Sequence, residues 1–179
     1  MQVTFVEYSQ SDQDEIVRWL TSETWEYFET PSPTQEMVVN WVSNGHFHGE
    51  RARSFWIQSE IGENVGFISV FEIRDPIPRI DLRVSASYRR MGIGKQALRF
   101  IADFVFREFP AALRIEGNTR QDNIAMRKTF AACGWVKESH YRALWKTETG
   151  EYAAAIGYAI IKQDWLNGTV TAVDWNDEP

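Results

Sequence analysis

Hydrophobic and polar positions change their period several times along the chain, and each change marks a predicted element. Alternation of apolar and polar residues over 3–8 is typical of an edge strand. Residues 11–21 carry apolar side chains at helical spacing behind a Ser-Asp cap, which predicts a helix. A second helix is predicted over 35–44, where Gly45 ends it. The chain therefore begins with one strand and two helices.

The rest of the chain continues to alternate between the two periods. The further predicted elements are strands over 54–60, 64–73 and 79–84, a helix over 94–109, a strand over 113–116, a helix over 123–133, and strands over 135–138, 141–146 and 152–161. The Ile61-Gly62-Glu63 turn predicts a hairpin between the first two of these strands. Strands and helices in this order predict an α/β fold with a mixed sheet.

Composition fits one globular domain without a nucleic-acid partner. The 179 residues are 44% hydrophobic and 14% aromatic, which is enough material for one proper core. We expect a single domain over 1–166 and a C-terminal tail over 167–179. The formal net charge of −6 leaves no stripe of Lys and Arg to replace the counterions of nucleic-acid phosphates.

Cysteine usage and hydropathy predict a cytoplasmic protein. Cys133 is the only cysteine, so neither an intrachain disulfide nor a thiolate metal cluster can form. The N-terminus has no basic flank before an apolar run, and no segment reaches the roughly 18 apolar residues of a membrane span. No membrane partner is therefore expected. The pair His46 and His48 lacks a third ligand, so no metal site is predicted.

The most informative segment is the junction between the strand over 79–84 and the helix over 94–109. Gly92 and Gly94 remove side chains at the point where a backbone would approach an anion. The helix that begins there directs its unpaired N–H groups and its positive dipole end at the same point. The junction therefore predicts a pyrophosphate-binding turn. A dinucleotide-binding fold would need a third glycine in register and an earlier position in the chain.

Two segments together resemble the GNAT superfamily of N-acetyltransferases. The motif Arg89-x-x-Gly92-x-Gly94 after a strand is similar to the acetyl-CoA loop of that superfamily. The segment 123–135, which runs from an Asn to a Gly-Trp pair, is similar to the helix after its splayed strands. Residues 141–165 resemble the RimJ/RimL branch, whose named members acetylate protein N-termini. The resemblance covers 25–165 and implies the GNAT acyl-CoA N-acyltransferase fold with splayed central strands.

The resemblance implies acetyl-CoA as the co-substrate and assigns residues to it. The pantetheine arm would lie against the main chain of Leu82, Arg83 and Val84, with Asn123 on the far side. An N-cap role explains Asn123 equally well. Pyrophosphate would be bound by Arg89, Arg90, Met91, Gly92, Ile93, Gly94 and Lys95. Phe130 completes the predicted donor site, where many family members carry a tyrosine that protonates the departing thiolate, and phenylalanine has no such proton.

The implied reaction is direct attack of a neutral amine on the thioester within a ternary complex. The amine must lose a proton, because its pKa is about 7.7–8.0 for an α-amino group and about 10.4 for lysine. Asp81 and Glu116 are the candidate bases. The structural alternatives are an ion pair with Arg79 or Arg83 for Asp81, and a hydrogen bond that ties the splayed strands for Glu116. The Val84 N–H is the candidate donor to the oxyanion.

Aromatic residues near the N-terminus exceed what two amphipathic helices need, and they suggest an acceptor groove. The predicted acceptor-binding residues are Trp25, Tyr27, Phe28, Glu29 and Tyr141. Core packing explains at least half of the aromatic residues, while an acid-rimmed aromatic groove would suit an ammonium group through cation–π contacts. The acceptor is a primary amine, either a protein N-terminus or a small molecule such as an antibiotic or a polyamine.

Two other functions stay open from the sequence. An acyl-CoA-binding sensor or accessory module would keep the glycine loop and Asn123 but show no turnover, which Phe130 allows. A structural or partner-binding domain would not bind CoA, and the glycine motif argues against it. Dimers are common among such folds, so a homodimer is compatible with the resemblance, with no face assigned.

Overall fold

One seven-stranded sheet runs through the computed structural model, which describes residues 1–176. Its strands are β1 (Val3–Glu7), β2 (Ala52–Ser59), β3 (Asn64–Phe71), β4 (Arg79–Val84), β5 (Arg114–Arg120), β6 (Val136–Lys146) and β7 (Tyr152–Ile161). They lie in the order β1-β2-β3-β4-β5-β7-β6. Neighbours are antiparallel except β4 and β5, which are parallel. The predicted mixed α/β sheet is confirmed.

Helices cover both faces of this sheet. They are α1 (Gln13–Thr21), α2 (Gln35–Ser43), α3 (Ile93–Glu108), α4 (Ile124–Ala132) and α5 (Lys162–Asn167). Apolar residues of α1 and α2 pack with Trp56 and Phe67 on one face, and those of α3 and α4 pack with the sheet on the other. None of the helices in residues 1–176 is long and apolar enough to cross a membrane.

The splay of the two central strands is the feature that creates room for a site. β4 and β5 pair at a single position, Arg79 opposite Glu116. Beyond this position each strand keeps only its outer neighbour, β3 for β4 and β7 for β5. A gap therefore opens between the carboxyl ends of two parallel strands, as the resemblance implied.

Side chains of β4 alternate between two environments, because successive residues of a strand point to opposite faces. Ile80, Leu82 and Val84 pack against the core that α3 and α4 cover. Arg83 instead reaches the aromatic residues that follow α1. One strand thus contributes its apolar face to the core and a charged face to the site.

Three elements differ from the sequence predictions. β5 extends through the segment 117–120, because pairing with β7 outweighs the weak strand propensity of Gly-Asn-Thr-Arg. The strands predicted over 135–138 and 141–146 form the single strand β6, with register irregularities after Lys137 and Tyr141. Helix α5 was not predicted. Residues 168–176 form neither strand nor helix, and the last three residues of the predicted tail, 177–179, lie outside the described residues.

Asp164 in α5 accepts hydrogen bonds from the segment 169–171, which follows this helix. Only 3% of this residue is exposed, and its carboxylate accepts bonds from Thr169 Oγ1 (2.9 Å), Thr171 N (2.9 Å) and Thr171 Oγ1 (2.7 Å). The backbone bond from Thr171 is the largest cause of a lowered pKa of Asp164. The charged carboxylate is therefore the form that the folded chain stabilises.

Replacing Asp164 by alanine is expected to lower the free energy of unfolding by about 3 kcal/mol, roughly one for each lost hydrogen bond. Because the pKa is lowered by folding, this contribution is present above the unfolded pKa of about 3.9 and is lost as the pH falls further. Urea unfolding at neutral pH and near pH 3 measures both effects. Alanine at the exposed Asp174 is the matched control and should change stability by less than about 0.5 kcal/mol.

Candidate active site

A cleft of about 1200 Å³ opens at the gap between β4 and β5. It is lined by both strands, by the loop before α3, by the first turns of α4, and by the segment between α1 and α2. The sequence-predicted residues that line it are Trp25, Tyr27, Phe28, Glu29, Asp81, Leu82, Arg83, Val84, Arg89, Arg90, Gly92, Ile93, Gly94, Lys95, Glu116, Asn123 and Phe130. Met91 and Tyr141 lie outside this lining, 45% and 52% exposed. The fold thus brings all but two of the predicted residues to one cleft.

The loop before α3 presents a set of unpaired backbone donors. Gly92 has φ of 82° and Arg90 has φ of 65°, and these left-handed residues turn the chain into the helix. The first helical bond joins Gln96 N to Gly92 O at 3.3 Å. Within residues 1–176, the N–H groups of 90–95 donate to no other atom of the chain. Three basic side chains lie beside these donors, an arrangement suited to an anion.

Distant acidic residues hold this loop in place. Glu23 Oε2 accepts from Ala86 N at 2.9 Å, and Glu63 Oε2 accepts from Tyr88 Oη at 2.6 Å. Arg89 Nε donates to Val84 O at 3.1 Å. No sequence pattern assigns this role to the two glutamates, because they are separated from the loop by 63 and 25 positions.

Replacing Gly92 by valine is expected to raise the dissociation constant for CoA about tenfold or more. A β-branched residue at positive φ costs roughly 1–3 kcal/mol, and the backbone that relieves this strain is the anion site itself. Gly62 is a matched control, with φ of 81° and, like Gly92, no atom within 4 Å of an added Cβ. Valine there should lower stability equally but leave CoA affinity, measured by calorimetry, unchanged. Equal affinities for both variants would contradict the assignment.

Backbone polarity along β4 decides which groups face the gap. Ser85 N donates to Val65 O, and Pro78 O accepts from Glu116 N of β5. Because these directions alternate along a strand, N–H and C=O of Leu82 and Val84 face the gap. The main chain of Arg83 faces β3. Of the three predicted pantetheine contacts, the backbone geometry therefore offers two, and Arg83 reaches the cleft with its side chain only.

Asn123 and Phe130 both have structural partners. Asn123 Oδ1 accepts from Met126 N at 3.2 Å as the cap of α4, and its Nδ2 donates to Thr119 Oγ1 at 3.0 Å. Phe130 is 1% exposed and stacks on Tyr158 with ring centroids 4.9 Å apart. The ring also packs against Gly117 of β5 at the edge of the gap: a Cβ added to Gly117 would lie only 2.6 Å from Phe130 Cζ. Phe130 therefore forms an apolar wall of the cleft.

We use the name acceptor chamber for the part of the cleft lined by Trp25, Phe28, His46, Asp81, Arg83 and Trp145. Arg83 pairs with Asp81 across 3.5 Å, and its guanidinium lies 3.8 Å from the ring centroid of Phe28 and 5.4 Å from that of Trp25. The aromatic faces expected to hold a substrate ammonium are therefore covered by an arginine of the chain itself. Burial lowers the pKa of Arg83, although the neighbouring Asp81 opposes this shift.

The two candidate bases differ in how their oxygens are used. Asp81 Oδ1 is buried and has no hydrogen-bond partner in residues 1–176, while Oδ2 contacts Arg83. Glu116 pairs with Arg114 at 2.9 Å, and the same guanidinium bonds Glu138 of β6. The predicted pair between Asp81 and an arginine is thus present. Asp81 Oδ1 is the oxygen of this ion pair that stays unpaired within residues 1–176.

His46 lines the cleft, a position that the sequence analysis did not predict because it considered this residue only for a metal site. Its ring lies against Phe71 (4.7 Å), Phe47 (4.9 Å) and Trp41 (5.9 Å). Desolvation against these groups lowers the pKa of His46, the charge of Arg83 adds to this, and Asp81 opposes it. These surroundings therefore favour the neutral imidazole. No group of three or more His, Cys, Asp or Glu within residues 1–176 is arranged to hold a metal ion.

Arg120 fixes the wall of the cleft next to Tyr27. Its guanidinium donates to Asp122 at 2.7 and 2.8 Å and to Glu26 O at 3.1 Å, and it lies 4.8 Å from the Tyr27 ring centroid. Burial is the main cause of a raised pKa of Tyr27. Because these contacts join β5 to the segment after α1 across 94 positions, only the fold could reveal them.

Comparisons with known proteins agree with this geometry. The family model for the acetyltransferase (GNAT) domain matches residues 2–136. Among curated proteins, no sequence matches the chain. Solved structures are similar across most of its length. A chimera of Vibrio cholerae spermidine N-acetyltransferase SpeG and hSSAT has a TM-score of 0.80 at 18% identity, covering 93% of this chain and 99% of that one.

Two further structures of the Vibrio cholerae spermidine N-acetyltransferase are similar to the chain. The complex with CoA and spermine has a TM-score of 0.79 at 16% identity, covering 93% of this chain and 99% of that one. A dodecameric form in an intermediate state has a TM-score of 0.76 at 16% identity, covering 93% and 98%. At identities this low, the structural similarity establishes the shared fold and nothing more specific.

The family match includes β4, the loop before α3, β5 and α4, which are the elements that line the cleft. The matched residues 2–136 contain both the splayed strands and the unpaired N–H groups of 90–95. This agrees with acetyl-CoA as the co-substrate. The chain belongs to the GNAT family and is an acetyl-CoA-dependent N-acetyltransferase.

Proposed function

We propose that the cleft binds acetyl-CoA and a primary amine side by side and transfers the acetyl group directly between them. One observation carries this proposal: a single continuous cleft joins the unpaired N–H groups of 90–95 to the acceptor chamber through the β4–β5 gap. The pyrophosphate would lie on these N–H groups. The pantetheine arm would pair with the backbone of Leu82 and Val84.

This arrangement gives each step of the transfer a group of the chain. Asp81 accepts the proton of the amine through its free Oδ1, either directly or through a water. The neutral amine attacks the thioester carbonyl, and the Val84 N–H, which faces the gap, donates to the oxyanion. The carbon–sulfur bond then breaks. The attacking nitrogen loses its second proton to water, and the thiolate takes its proton from water, since Phe130 has none to give. Asn118, which lines the cleft, can donate a hydrogen bond to the thiolate.

The acceptor is a primary amine of a protein N-terminus or of a small molecule. A similar Vibrio cholerae structure is a complex with spermine, which supports an amine acceptor for this fold. We retain membership of the RimJ/RimL branch as a proposal, and with it protein N-termini as candidate substrates. Self-association also remains a prediction, supported by the dodecameric form of a similar structure.

The test measures free thiol released from acetyl-CoA in the presence of an amine panel, with mass spectrometry of the products. The panel contains peptides with free N-termini, polyamines, amino acids and aminoglycosides. Acetylated product in step with thiol release supports the proposal. A thermal shift with acetyl-CoA but no acetylated product from any amine would instead identify a CoA-binding sensor.

A further inference from the structure

Two arginine side chains, Arg83 and Arg120, are largely removed from solvent, and they differ in how well their charges are satisfied. Arg120 is 10% exposed at its side chain, and Nε, Nη1 and Nη2 all donate to Asp122 or to the carbonyl of Glu26. Arg83 is 11% exposed, yet its one carboxylate partner is Asp81 at 3.5 Å, and Nη1 has no hydrogen-bond partner in residues 1–176. A buried guanidinium with an unused donor is unfavourable unless a ligand completes its partners.

A second unused donor lies in the same chamber. Trp145 of β6 lines the cleft, and its indole Nε1 is buried without a partner among the described residues. Asp81 Oδ1 is an unused acceptor next to Arg83. Three residues that line the cleft therefore hold buried, unpaired polar atoms within residues 1–176: two donors, one of them charged, and one charged acceptor. A ligand that matches them brings an anionic oxygen and a nitrogen donor together.

Chemistry narrows this ligand. A guanidinium binds a carboxylate strongly because both groups are planar and oppositely charged. A polyamine carries only cationic N–H donors, so it would satisfy Asp81 but meet Arg83 with a like charge. The other cleft arginine on β4, Arg79, is already paired in two places with Glu72, at 2.9 and 3.0 Å. Arg83 is thus the cation of the chamber that a substrate anion can use.

We propose that the acceptor of this enzyme carries a carboxylate close to its amine, as an α-amino acid does, and that Arg83 binds this carboxylate while Asp81 faces the amine. The inference rests on the proposed function and narrows its acceptors to small molecules with a free carboxylate. It excludes the protein N-termini retained above, because the carbonyl beside their amine is an amide. It differs from the spermine ligand of the similar structure, because charge at Arg83 favours a zwitterion over a polycation.

The experiment is a competition among matched acceptors with acetyl-CoA as donor. An equimolar mixture of common amino acids competes with the corresponding amino-acid amides, the decarboxylated amines and spermidine, and mass spectrometry gives the ratios of kcat/KM. We expect the amino acids to exceed their decarboxylated amines and amides by at least about tenfold, the factor that one charge-assisted hydrogen bond supplies. The inference would be overturned if the amides had the same kcat/KM as the amino acids, or if the decarboxylated amines or spermidine did.

Variants assign this preference to a residue. In Arg83→Met, the ratio of kcat/KM for amino acids to that for their decarboxylated amines should fall to near one, while the dissociation constant for acetyl-CoA stays unchanged. In the control Arg79→Met, this ratio should stay as in the unchanged protein. A ratio retained in Arg83→Met would overturn the assignment. Calorimetric titration of the CoA complex with leucine and with isoamylamine gives a readout without turnover. If no amine is acetylated, the proposed function fails, whereas this titration still decides whether Arg83 selects carboxylates.

Discussion

Replacing Asp81 by asparagine is expected to lower kcat by about 10²- to 10⁴-fold, the usual contribution of a positioned base. The amide keeps the shape of the side chain and can still accept from Arg83, but it cannot take a proton from the amine. Affinity for acetyl-CoA should not change, because the proposed contacts of the donor are with the backbone of Leu82 and Val84. Steady-state kinetics across pH measure the effect. The rate of the variant should rise with pH as the free-amine fraction grows.

Two matched variants show whether the base is Asp81 itself. Glu116→Gln removes the other predicted base and leaves Arg114 bound to Glu138. His46→Gln removes the neutral imidazole of the chamber. Both are expected to retain more activity than Asp81→Asn. A larger loss in either variant, with near-normal kcat in Asp81→Asn, would move the assignment to that residue.

An alanine at Gly117 is expected to lower the free energy of unfolding by about 1–3 kcal/mol through overpacking. The added Cβ would lie 2.6 Å from Phe130 Cζ, 3.0 Å from Phe130 Cε1 and 3.3 Å from Ile80 Cγ1. The phenyl ring cannot retreat, because it stacks on Tyr158 at 4.9 Å and packs against Trp135 at 5.1 Å. Chemical unfolding measures the loss. CoA affinity should fall too, because Gly117 and Phe130 form the wall of the gap.

A double-mutant cycle gives this prediction its control. Phe130→Leu shortens the side chain that the new Cβ would strike, so the double variant should lose less stability than the sum of the two single changes. Additive losses would show that the clash with Phe130 does not cause the effect. An unchanged unfolding midpoint in Gly117→Ala would contradict the close packing itself.

The sequence predicted the fold class and most of the cleft, because those signals are local. Gly92 and the polar loop before it stand at one strand-to-helix junction, and their positions alone predict a backbone anion site. Predictions of elements failed where strand pairing outweighed propensity. β5 was expected to end at Glu116, but β7 extends it to Arg120. α5 was missed because six residues carry little pattern, and the bonds of Asp164 to the segment beyond the helix connect residues without a sequence signal.

The surroundings of Arg83 required the tertiary structure. From the sequence, Arg83 was predicted to be one of three residues whose backbone contacts the donor. The register with β3 instead turns the backbone of Arg83 away from the gap. Its side chain lies on Phe28 and near Trp25, which approach from a segment more than fifty positions away. Trp145 reaches the same chamber from β6 at the edge of the sheet. No local pattern contains these contacts.

The sequence by itself predicted a site for an anionic donor at the Gly92 turn, because the glycine conformation and the helix N-terminus depend on adjacent residues only. The tertiary structure decided what lies opposite that donor. The splay of β4 and β5 opens the cleft, and the fold buries Arg83 there with an unused donor. Strands pair across long stretches of sequence, so the charge of the acceptor chamber exists only once the sheet has formed.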